Sequence, residues 1–408
     1  MKNKSKGFIN FILLASVIIA TFLILESFIE NYLITKAPVK FHFALPAGLA
    51  VLAQSSKTER IPKDYIAIAG DSYAQGKGDW LLEIDPDTNA AFHSAHALQK
   101  LTGRDVISFG KSGASNIKGW VREPIARYRF IHDKIDSSIA PPQIILAYFY
   151  AGNDLLENVL QLRESFIPTY TEAAINDPAA WDDYFISAID ARKVGPFSGV
   201  NNNIGWLPRA SFKILKQEFK TKKVGEELGD IHIVPTGKVN SVWVNNNEIK
   251  IPDLLQSPAI ELNHDETELG FLALTNSLHY LKNYFSQSKI IVVYIPSVIE
   301  SYAKVSEKIS ISNIIAEDSN KVEEIHAASA LTQRSNEIAD RVKKISQAMG
   351  LNFIDTRPAI QKASKKQIIH GPIDWKHYNR KGYETLAQSI VCALEDQAVL
   401  ATTNCPKN

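Results

Sequence analysis

Five short apolar runs punctuate the chain: "YIAIAG" (65–70), "DVISFG" (105–110), "QIILAYFY" (143–150), "KIIVVYIP" (289–296) and "NFIDT" (352–356). Most are continuous rather than alternating, which suits strands covered on both faces. Segments of helical period lie between them. "AFHSAHALQKLTG" precedes the second run and ends on Gly103, a residue suited to closing a helix. "ETELGFLALTNSLHYLKNYFSQ" precedes the fourth run, and "EEIHAASALTQRSNEIADRVKKISQAMG" precedes the fifth. "KGYETLAQSIVCALEDQ" follows it and closes the domain. Strands alternating with helices predict an α/β sandwich with a mostly parallel, five-stranded sheet.

Two regions break this rhythm. The N-terminus carries lysines at 2, 4 and 6, then an apolar run from Gly7 to Leu25 with no charge before Glu26. At about 1.5 Å per residue, this run is long enough to cross a hydrocarbon core of about 30 Å as a helix. It exceeds the usual apolar region of a cleaved signal peptide, and "ESFIENYL" is a poor cleavage site. We read residues 1–34 as an uncleaved signal anchor with the lysines cytoplasmic. The remaining chain is then periplasmic or extracellular. "FALPAGLAVLA" is too short to span and lies in an expected linker, 35–62. The second break is 159–263, with "SGVNNNIGWLP" and "IHIVPTGKVNSVWVNNNEIKIPD". Structureless loops of such length are rare, so this stretch is expected to fold as an inserted cap or subdomain. The α/β domain would then comprise 63–158 and 264–398, with 399–408 as a tail.

Composition adds little beyond this. The 408 residues hold 45 Lys plus Arg against 44 Asp plus Glu, so overall charge does not argue for a nucleic-acid partner. Cys392 and Cys405 are the two cysteines; an exported domain allows them to pair, while a buried thiol and a loose tail are the plain alternative. No Cys/His spacing suggests a metal, and no cofactor is expected. "DPDTNA" (85–90) imitates the start of a calcium loop but lacks its glycine, and His96 falls where the closing glutamate belongs. His93 and His96 share a helix face, with no nearby acid or thiol to complete a metal site.

In open parallel sheets, ligands bind beyond the C-terminal strand ends. The first run breaks into Gly70-Asp71-Ser72, the second into "GKSGAS" and the third into "AGNDLLEN". "GPIDWKHYNRKGYE" stands just before the last helix. These pieces are the parts of an acyl-transfer site. Ser72 is a candidate nucleophile, and His377 is the base it needs. Asp374, three residues earlier, can fix the imidazole tautomer. The backbone N–H groups of Ser72 and Gly113, with the Asn153 amide, can serve a developing oxyanion.

The four blocks resemble the SGNH, or GDSL, hydrolase superfamily: Ser72 in "GDSY", Gly113 in "GKSGAS", Asn153 in "GNDL" and His377 with Asp374 in "DWKH". They occur in the family's order, over roughly 64–158 and 264–396. Tyr73 replaces the leucine of the commonest first block. The resemblance implies a flavodoxin-like, three-layer sandwich and a serine esterase with a catalytic triad. Each residue also has a plainer reading. Ser72 can cap a helix, Gly113 can be a turn glycine with Gly110 as the alternative, and Asn153 can form an Asx turn. Asp154 is expected to support the loop rather than react.

The expected function is a membrane-anchored, extracytoplasmic esterase acting on an O-acyl or O-acetyl group of a carbohydrate. An O-acyltransferase with the same triad, a lipid esterase or thioesterase, and a non-catalytic scaffold of envelope assembly are the alternatives. Trp181, Trp206 and Trp243 in 159–263 are candidate sugar-stacking residues, or core.

Overall fold

A computed structural model describes residues 2–78, 94–194, 203–228, 237–313, 322–401 and Cys405. The chain opens with helix α1 (Lys2–Phe28) and its continuation to Lys36. Ile9–Lys36 is long and apolar enough to cross a membrane, with an 18-residue window of mean hydropathy 2.5 that is almost entirely exposed. The expected linker carries a 3-10 turn (Val39–Ala44) and helix α2 (Ala47–Ala53), both largely buried. Its apolar residues, Leu49, Leu52 and Ala53, pack with Ile29 and Ile34 at the end of the apolar segment.

The five apolar runs form one sheet. They are β1 (Tyr65–Ala69), β2 (Asp105–Ser108) and β3 (Ile144–Tyr150), followed later by Lys289–Ile295 and Asn352–Asp355. Between the first three lie α3 (Ser72–Gln75), α4 (Ser94–Thr102) and α5 (Glu123–Lys134). Gly103 ends α4 at φ +68°, a conformation glycine adopts without strain. After β3 come α6 (Asp154–Gln161), α7 (Ile167–Tyr170), α8 (Pro178–Asp190) and α9 (Asn203–Leu228), then the strands β4 (Ser241–Val244) and β5 (Asn247–Lys250). Helix α10 (His264–Tyr284), opened by a capping box of Asn263 and Glu266, leads into β6 (Lys289–Ile295). The remainder is β7 (Ala303–Lys304), β8 (Lys308–Asn313), β9 (Val322–Ala327), α11 (Ala328–Ala348), β10 (Asn352–Asp355), α12 (Arg357–Ser364) and α13 (Arg380–Asp396).

The large sheet has the order β10-β6-β3-β1-β2, and every pairing in it is parallel. Alternate residues feed two apolar cores. Tyr65, Ala67, Ala147 and Val292 join residues of α5, α6, α8, α10 and α11; Ile66, Ile68, Leu146 and Val293 join those of α4, α12 and α13. Burial of both faces explains why the strands read as continuous apolar runs.

The stretch expected as an insertion, 159–263, shares its packing with its surroundings. Leu162, Phe166, Trp181, Phe185 and Ile189 belong to a main core. Strand β4 takes β5 on one side and β7, from beyond the fourth core strand, on the other. Residues 322–327 also differ from expectation. The reading of "EEIHAASAL" as helix fails for its first part, which pairs as β9 with β8. There Glu324 and His326 alternate with Ile325, a period of two that suits a hairpin. Cys392 and Cys405 form a disulfide that fastens the chain end to α13.

One close approach lies at the end of β1. The turn Ile117–Arg122 crosses the end of this strand, and a Cβ on Gly119 would lie 2.9 Å from the Gly70 carbonyl carbon and oxygen. Gly119→Ala is expected to cost about 1–3 kcal/mol through overpacking. The check is the urea midpoint of the detergent-solubilised chain; an unchanged midpoint would refute the contact.

Candidate active site

β1, β2 and β3 are neighbours in the sheet, so the segments leaving their C-terminal ends meet. The β1 exit is the turn that starts α3. Asp71 caps this helix: its Oδ1 accepts the Tyr73 N–H at 2.9 Å. Its Oδ2 accepts the Ser72 hydroxyl at 3.2 Å. Ser72 is buried at 5% exposure. The loop after β2 lies across this turn, with the Lys111 N–H on the Gly70 carbonyl at 3.0 Å. The Ser112 N–H reaches Gln75 Oε1 at 2.9 Å.

The two glycines of that loop have different reasons. A Cβ on Gly110 would sit 2.3 Å from the Gln75 nitrogen, so only glycine lets the loop rest on α3. Gly113 has open space around it but adopts φ +64°. Beyond β3, Asn153 precedes α6, and its Oδ1 is buried with no hydrogen-bond partner. Asp154 supports the loop, as its position suggested. Its Oδ2 accepts from the Tyr150 N–H at 3.1 Å and from Asn116 Nδ2 at 2.9 Å. Asn158 closes this buried network on the other side of Asn116 at 2.7 Å. Burial, with the Asp71 charge second, pushes the Asp154 carboxyl well above the usual carboxylate range.

Asp374 and His377 are brought together: Oδ2 and Nδ1 are 2.6 Å apart. Burial works against the Asp374 charge, but the His377 hydrogen bond and charge, with the Lys376 N–H, hold its carboxyl below the ordinary value. With Nδ1 committed to Asp374, Nε2 is the nitrogen left for a substrate-side proton. Ser72 Oγ and His377 are not hydrogen-bonded to each other; the hydroxyl points to Asp71. Burial raises the Asp71 carboxyl, while the Tyr73 N–H and the His377 charge pull it down.

Tyr73, noticed in the sequence only as a substitution, joins the two halves of the site. Its fully buried ring lies 4.3 Å from Tyr150, 5.0 Å from Tyr378 and 5.5 Å from the His377 ring, centroid to centroid. Its hydroxyl donates to the Lys376 carbonyl at 2.9 Å. Tyr383 adds a second tie, donating to the Lys77 carbonyl at 2.5 Å. The available signal was the tyrosine beside each motif: 73 after Ser72, and 378 and 383 after His377.

A cleft of about 630 Å³ reaches Asp374 and His377. Its other walls are the loop 108–112, residues 75–78 and the segment that follows the apolar helix. Ser72 does not line it. Of the candidate stacking residues, Trp181 and Trp206 are buried in apolar clusters, whereas Trp243 on β4 is exposed. His96 sits beside Ser55, with Nε2 and Oγ 2.6 Å apart. His93 and residues 85–90 lie outside the described residues. No family model matches this chain, and no curated protein matches it.

A second histidine stands behind the site. His370 is fully buried, before the cis peptide Gly371–Pro372. The Tyr302 hydroxyl oxygen accepts the N–H groups of Ile369 and His370, so its proton is left for His370 Nδ1 at 3.0 Å. Burial, then the His377 charge, lowers the His370 pKa to about 3, with the Asp374 charge opposing. The unfolded chain therefore takes up this proton below about pH 6.5 while the folded chain refuses it until about pH 3. Stability falls as pH falls through that window, by at most about 1.4 kcal/mol per pH unit from this group. His370→Asn keeps an acceptor for Tyr302 and removes the titration. It is expected to flatten the stability profile between pH 6.5 and 4 by that amount, as read by chemical denaturation. An unchanged slope would show that His370 is not held neutral.

Proposed function

We propose that this chain is a membrane-anchored serine esterase of the SGNH hydrolase kind, with a flavodoxin-like layered fold. The carrying observation is the Asp374–His377 hydrogen bond of 2.6 Å at the edge of a cleft, tied through Tyr73 to the turn that bears Ser72. The parallel strand order and the two covered faces support the fold reading. The apolar span after Lys2, Lys4 and Lys6 supports an anchor with its N-terminus cytoplasmic and the catalytic domain on the far side.

On substrate binding, the Ser72 hydroxyl turns from Asp71 to His377 Nε2. Ser72 Oγ then bonds to the ester carbonyl carbon as its proton passes to His377. The Asp374 carboxylate stabilises the imidazolium. Negative charge develops on the carbonyl oxygen, where the N–H groups of Ser72 and Gly113 and the Asn153 amide act as donors. The buried, unpartnered amide oxygen of Asn153 marks a side chain that the fold has not committed to a structural bond. Collapse expels the alcohol, which takes the proton from His377. Water activated by His377 then releases the acid from Ser72. We infer an O-acylated carbohydrate as substrate class. The burial of Ser72 favours a second reading, in which a sugar hydroxyl rather than water accepts the acyl group.

A fluorophosphonate probe should label the full chain in detergent but not Ser72→Ala. His377→Ala should lower hydrolysis of p-nitrophenyl acetate by about 10³-fold or more, because the triad acts as a unit. A folded wild-type chain that neither labels nor hydrolyses would overturn the esterase reading. Near-normal turnover in His377→Ala would remove this residue from its role.

A further inference from the structure

We propose that the cleft selects esters of anionic carbohydrates, holding a carboxylate or phosphate of the substrate at Lys111, Arg127 and Arg192. This rests on the esterase reading above. Among the described residues, the cleft walls carry Lys40, Lys77, Lys111, Arg127, Arg192 and Lys376, against the single acid Asp374, which is bonded to His377. Lys40 is paired with Glu218 at 3.3 Å. Among the described residues, no carboxylate lies within ion-pair distance of Lys77, Lys111 or Lys376.

The cationic centre is built, not merely exposed. Fully buried Glu123 accepts hydrogen bonds from Arg122, Arg127 and Arg192 at 3.0, 3.2 and 2.6 Å. Burial opposes its charge, but the Arg192 hydrogen bond and the charges of Arg127, Arg192 and Arg122 hold its carboxyl at about 2. One carboxylate thus holds three guanidinium groups in place and neutralises only one. Arg127 is buried, and its Nε has no hydrogen-bond partner. Lys111 stands close enough to sense this group. Burial lowers its pKa, Glu123 opposes, and the charges of Arg127, Arg192 and Lys77 lower it further. An incoming anion relieves this repulsion. Walls of one charge sign also concentrate such substrates near His377.

The test uses the full chain in detergent with three families of O-acetylated oligosaccharide: uronate-containing, phosphate-bearing and neutral. p-Nitrophenyl acetate reports the esterase reading separately. The expected result is a kcat/KM at least tenfold higher for one anionic family than for the neutral one, falling with added salt. The better anionic family identifies carboxylate or phosphate as the recognised group. Lys111→Gln should reduce the anionic-to-neutral ratio by about tenfold, the scale of one charge-assisted hydrogen bond. Arg192→Gln is the second variant. Turnover of p-nitrophenyl acetate with no anionic preference, or a ratio unmoved in both variants, would overturn this proposal and leave the esterase reading standing.

A separate observation concerns α9. We infer that this helix lies on the membrane that holds the anchor. One face, Trp206 and Ala210 with Leu207 and Ile214 beside them, packs on Ile29, Ile34 and Leu49, where the chain leaves the apolar segment. Phe212, Leu215 and Phe219 follow each other on the opposite face and are 69%, 57% and 74% exposed. Exposed Arg209, Lys213 and Lys216 flank them. An apolar stripe with basic flanks is the pattern of a helix in the interfacial plane, and its attachment at the end of the span supplies the lipid.

The two cysteines are bonded to each other, so Leu215→Cys offers a unique thiol. A bimane placed there, in proteoliposomes of phosphatidylethanolamine and phosphatidylglycerol, should be quenched by headgroup-proximal spin-labelled lipid. Efficient quenching by aqueous iodide without lipid quenching would overturn the inference. So would protection from both quenchers, which would indicate a protein partner instead.

Discussion

Tyr73 is the side chain on which the candidate site depends, because it solves a problem of chain topology. Ser72 follows the first core strand, while Asp374 and His377 precede the last helix, some three hundred residues on. Nothing local can hold these two pieces in register. The Tyr73 ring fills the space between Tyr150, Tyr378 and Tyr383, and its hydroxyl fixes the backbone one residue before His377. An aromatic ring there orients by packing while its polar tip makes a directional bond. A leucine would fill volume without that bond.

The same turn shows how burial and charge are set against each other. Asp71 and Asp154 are both buried acids beyond neighbouring strands; burial raises both carboxyls, and the Asp71 charge raises that of Asp154 further. Asp374 experiences burial too, yet hydrogen bonding and charge from His377 outweigh it. Similar residues therefore serve different ends. Asp71 orients the helix start and Ser72, Asp154 ties the loop after β3 to Asn116, and Asp374 is hydrogen-bonded to His377.

The strands were legible because both of their faces are buried, which leaves an unbroken apolar run in the sequence. Asp374 and His377 were legible because a three-residue separation lets one tight turn join them. Ser72, Gly113 and Asn153 were legible as strand-end residues, although the turn directs the Ser72 hydroxyl to Asp71. The rest depended on distant partners. β4 and β7 pair across sixty residues, and β9 was hidden by the helix that follows it directly. Glu123, Arg127 and Arg192 gave no sign in sequence, because α5 and the chain after α8 meet only through tertiary packing. Trp181 and Trp206 resemble ligand-stacking residues in sequence and are core in space, the commoner fate of large aromatics in a packed segment.

The position of the cleft links these elements. Part of its wall is the polypeptide just beyond Lys36, and Gln217 of α9 adds to it. The residues after the apolar helix are packed rather than loose: Leu49, Leu52 and Ala53 are buried, and the Gly48 N–H donates to the Val194 carbonyl at 2.9 Å. A flexible tether would let the domain tumble and present its cleft in any direction. A packed one fixes the cleft close to the point where the chain leaves the apolar segment. The entropy of ordering that segment is offset by the cluster it forms with Ile29, Ile34 and Trp206. Under the proposed reading, the packed segment would hold the cleft at the membrane surface, and the direction of approach would be a property of the fold.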